Sequence, residues 1–336
     1  MFSLKTMARP LAMLALVLGA GAQSQAQARM QAQTPAPAPA GVNPNALRDK
    51  FLDPARGVFV VAHRGCHNPA PARQLPSAPE NSLLAMDHCV ALGVDMMELD
   101  VRRTSDGALV ILHDARIDRT TNGRGRLAEL TLAEVKRLRL RDNLGGNVYP
   151  GVSDQVMPTL DEALQHAKGR IMLNLDIKEE IYPEVVAAAL AAGMGDQVVI
   201  KRVVSRDVEP LVDQAPYDQV PFMPILGNWP SEPATADLGD IAARQLQGKN
   251  RPAGVELVFL SQQQFAAVRR VAKERKIRLW ANTLGDVIGV IGAGSDLDAM
   301  RTQGKTWGAM MDQGIDTFQT DEPGPLIEYL RSRTAP

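Results

Sequence analysis

From about residue 58 onward, short apolar runs alternate with amphipathic, helix-period segments, and the order repeats. Residues 58–62 are apolar without interruption, as a strand buried on both faces would be, and end at His63-Arg64-Gly65. A proline-containing loop over 66–79 leads to a helix predicted from Asn81, as its cap, to about Leu92, with Gly93 as the stop. Residues 96–103 and 109–112 read as two strands joined by the turn signal Thr104-Ser105-Asp106-Gly107, which predicts a hairpin. Thr131 with Glu134, and Thr159 with Glu162, are capping boxes that open two helices. The residues 142–156 between them read as loop. Further strands are predicted over 170–178, 198–203, 221–226, 255–259, 277–282 and 317–320, with helices between them. One of these helices is capped by Ser261 with Gln264 three residues on, and a terminal helix runs over about 325–331.

Strands alternating with helices predict a mostly parallel sheet covered by helices. There are nine strand-like runs, and if 109–112 is a hairpin arm, eight remain for a closed barrel. About 280 residues is the usual size of a single-domain TIM (β/α)8 barrel. An open doubly wound sheet is the alternative, but no glycine-rich phosphate fingerprint follows the first strand.

The start of the chain has a different character. Lys5 and Arg9 precede a short apolar run, and small residues follow, which is the pattern of a secretory signal over 1–28. The Ala, Gln and Pro of 29–44 cannot pack a core and read as a linker, leaving 45–336 for the barrel. The expected location is outside the cytoplasm, periplasmic or secreted. A net charge of −1 argues against a nucleic-acid partner, and no long apolar stretch in the body of the chain predicts membrane insertion. Cys66 and Cys89 could pair in an oxidising compartment, but Cys89 shares a helical stripe with Leu83, Met86 and Val90 and reads as a buried apolar residue.

The chemistry gathers at strand ends. Glu98 and Asp100 lie two apart in a strand, so they share one face, and their repulsion calls for a cation or a raised pKa on one of them. The hairpin would bring His113 beside Asp100. On the strand 170–178, Asn174, Asp176 and Lys178 share a face. His63, Glu98, Asp100, Asp176, Trp280 and Asn282 all fall near C-terminal strand ends, where barrel sites form.

With these motifs in place, namely His63-Arg64-Gly65, Pro79-Glu80-Asn81-Ser82, Glu98-Leu99-Asp100-Val101, His113-Asp114, Arg119-Thr120-Thr121-Asn122-Gly123, Pro158-Thr159-Leu160, Asp176-Ile177-Lys178, Trp280-Ala281-Asn282 and Thr320-Asp321-Glu322-Pro323, the sequence resembles the glycerophosphodiester phosphodiesterase family. The resemblance covers about 58–330. It implies a TIM barrel that hydrolyses small-molecule glycerophosphodiesters to sn-glycerol 3-phosphate and an alcohol with one divalent cation. By motif, Glu98, Asp100 and Asp176 would hold the metal, His63 and His113 would be base and acid, Arg64 and Lys178 would meet the phosphate, and Trp280 and Asn282 the substrate, with Trp280 at its glycerol end. All-oxygen ligands suit Ca2+ or Mg2+. The attacking group is either water or the substrate's own hydroxyl, the latter through a cyclic phosphate. Two other readings stay open: cyclising or lysophospholipase D-type cleavage, and a non-catalytic barrel that binds phosphate esters.

Two departures from the family pattern stand out. Asp176 occupies a usual Glu position, and the loop 66–79 is long. His67 in that loop is expected at the surface, with a substrate contact as the alternative, and Glu80 and Asn81 read as helix-start residues, with a direct site role as the alternative for Glu80. Asp114 and Asp321 are expected to orient neighbours through hydrogen bonds.

Overall fold

The computed structural model describes residues 43–228 and 237–334. The leader read over 1–28, and the linker up to residue 42, lie outside the described residues.

Nine strands make one sheet: β1 (Phe59–Ala62), β2 (Met96–Arg103), β3 (Leu109–Ile111), β4 (Met172–Ile177), β5 (Val198–Val203), β6 (Phe222–Gly227), β7 (Gly254–Val258), β8 (Arg278–Asn282) and β9 (Thr317–Thr320). Their order is β1-β9-β8-β7-β6-β5-β4-β2-β3, and β1 also pairs with β2 through Val61↔Met96, so eight parallel strands close into the expected barrel. β3 lies antiparallel on β2, with Arg102 opposite Val110, and stays outside the closure as the arm of the predicted hairpin.

Alternation along each strand sorts the core into layers. On β2, Leu99 and Val101 point outward into a core that they share with Leu173 and Leu175 of β4 and with the surrounding helices. Val61, Met96, Met172, Val199 and Met223 point inward and fill the lower barrel. Each fully buried side chain of this size contributes about 1.5–3 kcal/mol. The segment between β3 and the helix Leu160–Ala167 has a small core of its own, built on Val110, Ile117, Leu127, Leu140 and Met157. The three predicted capping boxes are all present.

The sequence pattern gave no sign of the helix Pro44–Leu52, which closes the lower end of the barrel. Phe51 is buried against Phe59, with ring centroids 4.9 Å apart. The helix C-terminus is held by Arg278, whose Nε donates to the Phe51 carbonyl at 2.7 Å while its Nη atoms donate to the carbonyls of Lys50, Asp53 and Gly57. These donors satisfy carbonyls that a helix end leaves unpaired.

Candidate active site

The strand ends β1, β2, β4 and β9 and the loop after β3 converge at the C-terminal mouth. β1 gives way to the turn His63-Arg64-Gly65. Arg64 has φ 51° and Gly65 φ 89°, and a Cβ on Gly65 would lie 2.5 Å from Met97 Cε, so the turn needs glycine there. The turn aims the Arg64 backbone N–H at Glu98 Oε2, 2.7 Å away.

Glu98, Asp100 and Asp176 each offer an oxygen within 4.8 Å of the others. Glu98 and Asp100 are both buried. Glu98 is held well above the ordinary carboxylate range, first by burial and then by Asp100 and Asp176, against the pull of Lys178 and Lys201. Asp100 goes the other way. Burial would raise it, but Lys178, Arg64, His113 and the Asn81 amide together hold it ionised and low. Lys178 Nζ lies 2.9 Å from Asp100 Oδ1 and 2.8 Å from Asp176 Oδ2, and is itself raised by these acids despite its burial. Three oxygen donors, one of them raised by burial and by its acidic neighbours, fit a divalent metal: such an ion would relieve the crowding that burial and repulsion impose on Glu98.

Two histidines flank this strand in the fold, one after β1 and one after β3, and each leans on an aspartate. His63 Nδ1 is 2.9 Å from Asp321 Oδ1, and Asp321 directly follows β9, the neighbour of β1. His113 Nδ1 is 2.7 Å from Asp114 Oδ1. Asp114 is clamped by Arg119, with Nε to Oδ2 at 2.8 Å and Nη2 to Oδ1 at 3.0 Å. The same guanidinium reaches Glu80 at 2.6 and 2.8 Å. Both aspartates are held below the usual carboxylate range: burial opposes this, and the histidine contacts, joined at Asp114 by Arg119, outweigh it. A carboxylate on Nδ1 fixes the neutral imidazole as the Nδ1–H form and leaves Nε2 free to take or give a proton.

Residues 63–210 match the family model described as the glycerophosphoryl diester phosphodiesterase family. Over that stretch, a little under half of its length, the chain is similar to this family. A second model, described as a domain of unknown function, matches residues 222–330. The glycerophosphodiester phosphodiesterase of Caldanaerobacter subterraneus is 35% identical over 130 residues, which is 38% of this chain and 49% of that protein. Glycerophosphodiester phosphodiesterase 1 of Mus musculus is 36% identical over 146 residues, 41% of this chain and 39% of that one. The chain thus matches less than half the length of these curated relatives. Among solved structures, a glycerophosphoryl diester phosphodiesterase from Parabacteroides distasonis superposes with TM-score 0.60 at 21% identity, covering 87% of this chain and 93% of its own. A phosphodiesterase from Oleispira antarctica, in complex with the product sn-glycerol-3-phosphate, superposes with TM-score 0.56 at 22% identity over 82% and 98% of the two chains. These two likenesses concern the fold.

Of the residues singled out from the sequence, His63, Arg64, Glu98, Asp100, His113, Asp176 and Lys178 gather at this mouth, within the stretch matched to the phosphodiesterase family. Trp280 does not join them. It is fully buried in the lower barrel, edge-on to Phe51, with Lys201 Nζ 4.8 Å from its ring centre. Alternation rightly turned it inward, but inside a barrel an inward residue at mid-strand packs the core instead of facing the mouth. Asn282, one pleat higher, donates to Glu256 Oε1 at 2.8 Å.

Three other expectations change. His67 is buried, not exposed. Asn81 is not the cap of the helix Leu83–Leu92, because Ser82 is. With φ 56°, the Asn81 amide instead donates to Asp100 Oδ2 at 2.7 Å, and its Oδ1 accepts the Asp100 N–H at 3.2 Å. Cys66 and Cys89 form a disulfide: the stripe that buries Cys89 also points it at the loop leaving β1. A buried ion pair, Lys201 Nζ to Glu256 Oε2 at 2.6 Å, went unread although each charge interrupts an apolar parallel strand, which is a signal in itself.

Proposed function

We propose that this protein is a metal-dependent phosphodiesterase that cleaves glycerophosphodiesters to sn-glycerol 3-phosphate and an alcohol. The observation that carries the reading is two imidazoles, each oriented by an ionised aspartate, just after β1 and β3, which both pair with β2, beside a carboxylate cluster that is paired with Lys178 and Arg64. The match of residues 63–210 to the family model and the product named with the Oleispira antarctica structure support the substrate class.

His63, with Nδ1 committed to Asp321, takes a proton from the attacking hydroxyl or water at Nε2. His113, held by Asp114, delivers one to the departing alkoxide. Arg64 and Lys178 meet the phosphoryl oxygens, whose charge grows toward the transition state. Glu98, Asp100 and Asp176 would hold one divalent cation, Ca2+ or Mg2+, which when bound adds Lewis-acid stabilisation of that charge. Asp176 is half-exposed and one methylene shorter than glutamate, so it suits a ligand reaching through water. The disulfide and the N-terminal pattern support a place outside the cytoplasm.

The test is turnover of glycerophosphocholine by the purified protein with Ca2+, with Mg2+ and with chelator, beside His113→Ala. Chelator-sensitive release of glycerol phosphate, reduced on the order of 10²- to 10⁴-fold in the variant, is expected. Equal turnover by the variant, or turnover untouched by chelation, would sink the reading. Recovery in the culture medium or periplasmic fraction checks the location.

A further inference from the structure

His67 has no part in the chemistry above, yet it lies against one of the groups that chemistry uses. Its ring is fully buried. Nε2 lies 3.1 Å from Asp321 Oδ1, the same oxygen that faces His63 Nδ1 at 2.9 Å. Nδ1 lies 3.2 Å from Asn143 Oδ1.

The direction of each contact follows from the neighbours. Asn68 Nδ2 donates to the Asp321 carbonyl and to Glu322 Oε1, both at 3.0 Å, so Asn68 Oδ1 is left to accept. It accepts from Asn143 Nδ2 at 2.9 Å, and the same amide nitrogen donates to the His67 carbonyl at 3.1 Å. Asn143 Oδ1 in turn accepts the Leu144 N–H at 2.8 Å. The amide of Asn143 therefore has one orientation, with its oxygen toward His67. Both ring nitrogens of His67 face atoms that only accept. A neutral imidazole has one N–H, so one of the two contacts would set lone pair against lone pair out of reach of solvent.

We propose that His67 sits as a buried imidazolium that donates from both nitrogens, and that it is a positioning residue: by sharing Asp321 it limits how strongly that carboxylate holds a proton on His63. The low-lying ionisation of Asp321, achieved against burial by contacts from His63 and His67, fits a carboxylate with two donors on one oxygen. Three other charged groups lie near the trio. Arg64 follows His63 and turns its guanidinium toward Glu80 and Asp100. Glu322 is raised by burial and by Asp321 and pulled down by His67. Asp296, behind the trio, accepts the Asp321 N–H at 2.9 Å through Oδ2 and is pushed up to about 7, chiefly by burial.

This inference rests on the reading of His63 as the base. The experiment compares the pH dependence of kcat/KM for glycerophosphocholine in the parent and in His67→Gln. Glutamine keeps one N–H for Asp321 but carries no charge. The full carboxylate charge then falls on His63, its protonated form gains, and the acid limb should move to higher pH by about one unit with KM nearly unchanged. A limb that stays in place, whatever happens to the rate, overturns the proposal.

Nitrogen-15 NMR of histidine-labelled parent protein, with the His67 ring assigned by its loss in the variant, gives a second reading that needs no turnover. Two protonated ring nitrogens near neutral pH are expected, and one alone overturns the proposal. If no diester is cleaved at all, the NMR result still decides the state of His67, so failure of the diesterase reading is told apart from failure of this one.

Discussion

The two histidines at the barrel mouth have the same immediate support and different foundations. His113 rests on Asp114, and Asp114 rests on Arg119, a cation that keeps its proton at any working pH. His63 rests on Asp321, and Asp321 rests on His67 and on a set of amides from the loop 66–79 and Asn143. One support is a fixed charge, and the other is a histidine set among amides. The fixed one also lies nearer solvent: the His113 side chain is 35% exposed and that of His63 13%. A carboxylate behind an imidazole is therefore only half of a description. What stands behind the carboxylate decides how the pair answers to pH.

The comparison can be broken most strongly at Asp321. Asp321→Ala should lower kcat/KM on the order of 10²- to 10³-fold, because His63 loses the partner that sets its tautomer while His67 loses its counter-charge. A loss under tenfold would mean that Asp321 is structural only. Glu80→Gln acts on the other side. It leaves the Arg119 and Arg64 guanidinium groups without a carboxylate that is 3% exposed, and should destabilise the fold by about 3 kcal/mol, seen as a lower denaturant midpoint at unchanged slope. An unchanged midpoint would show that Arg119 re-pairs elsewhere. Asp114→Ala should cost about tenfold and move the basic limb of the pH profile downward, since the protonated ring of His113 would trade its carboxylate for a nearby guanidinium. A basic limb that stays put would exclude His113 as the acid.

The mildest test concerns the carboxylates between the two pairs. Glu98, held above its ordinary range, keeps its proton in the cation-free fold. That fold is favoured at or below the ordinary carboxylate value and loses the advantage as pH rises. Cation binding must expel the proton, so affinity should climb with pH above about 4, with protons released to the buffer in titration calorimetry. Affinity that is flat with pH would place the ion away from Glu98.

Much of this was legible in the sequence, wherever the cause was local. The capping boxes at Thr131, Thr159 and Ser261 declare helix starts within four residues, and all three formed. The two-residue spacing of Glu98 and Asp100 put both on the barrel's inner face, and the Asp106-Gly107 turn folded β3 back so that the Leu112 N–H meets the Asp100 carbonyl. The rest depended on partners that are distant in sequence. Asn81 leaves the helix start because Asp100 lies beside it, and His67 is buried because Asn143 and Asp321, 76 and 254 residues further on, close over it. Trp280 shows a different limit. A period of two gives the side of the sheet but not the depth along the barrel axis.

The guanidinium of Arg278 at the lower end of the barrel joins the first described helix to the eighth strand, 227 residues apart. During synthesis from the N-terminus, Pro44–Leu52 emerges early and can pack on β1 through Phe51 and Phe59, but the Arg278 donors for its last carbonyls come only with β8. The ring of strands cannot seal either before β9 meets β1. Completion is thus a late, single event, gated by the last quarter of the chain. A chain that stops short of β8 keeps an unsealed sheet with exposed edges and is easy prey for proteases, whereas the finished one has both ends of its described fold tied into one knotless closure.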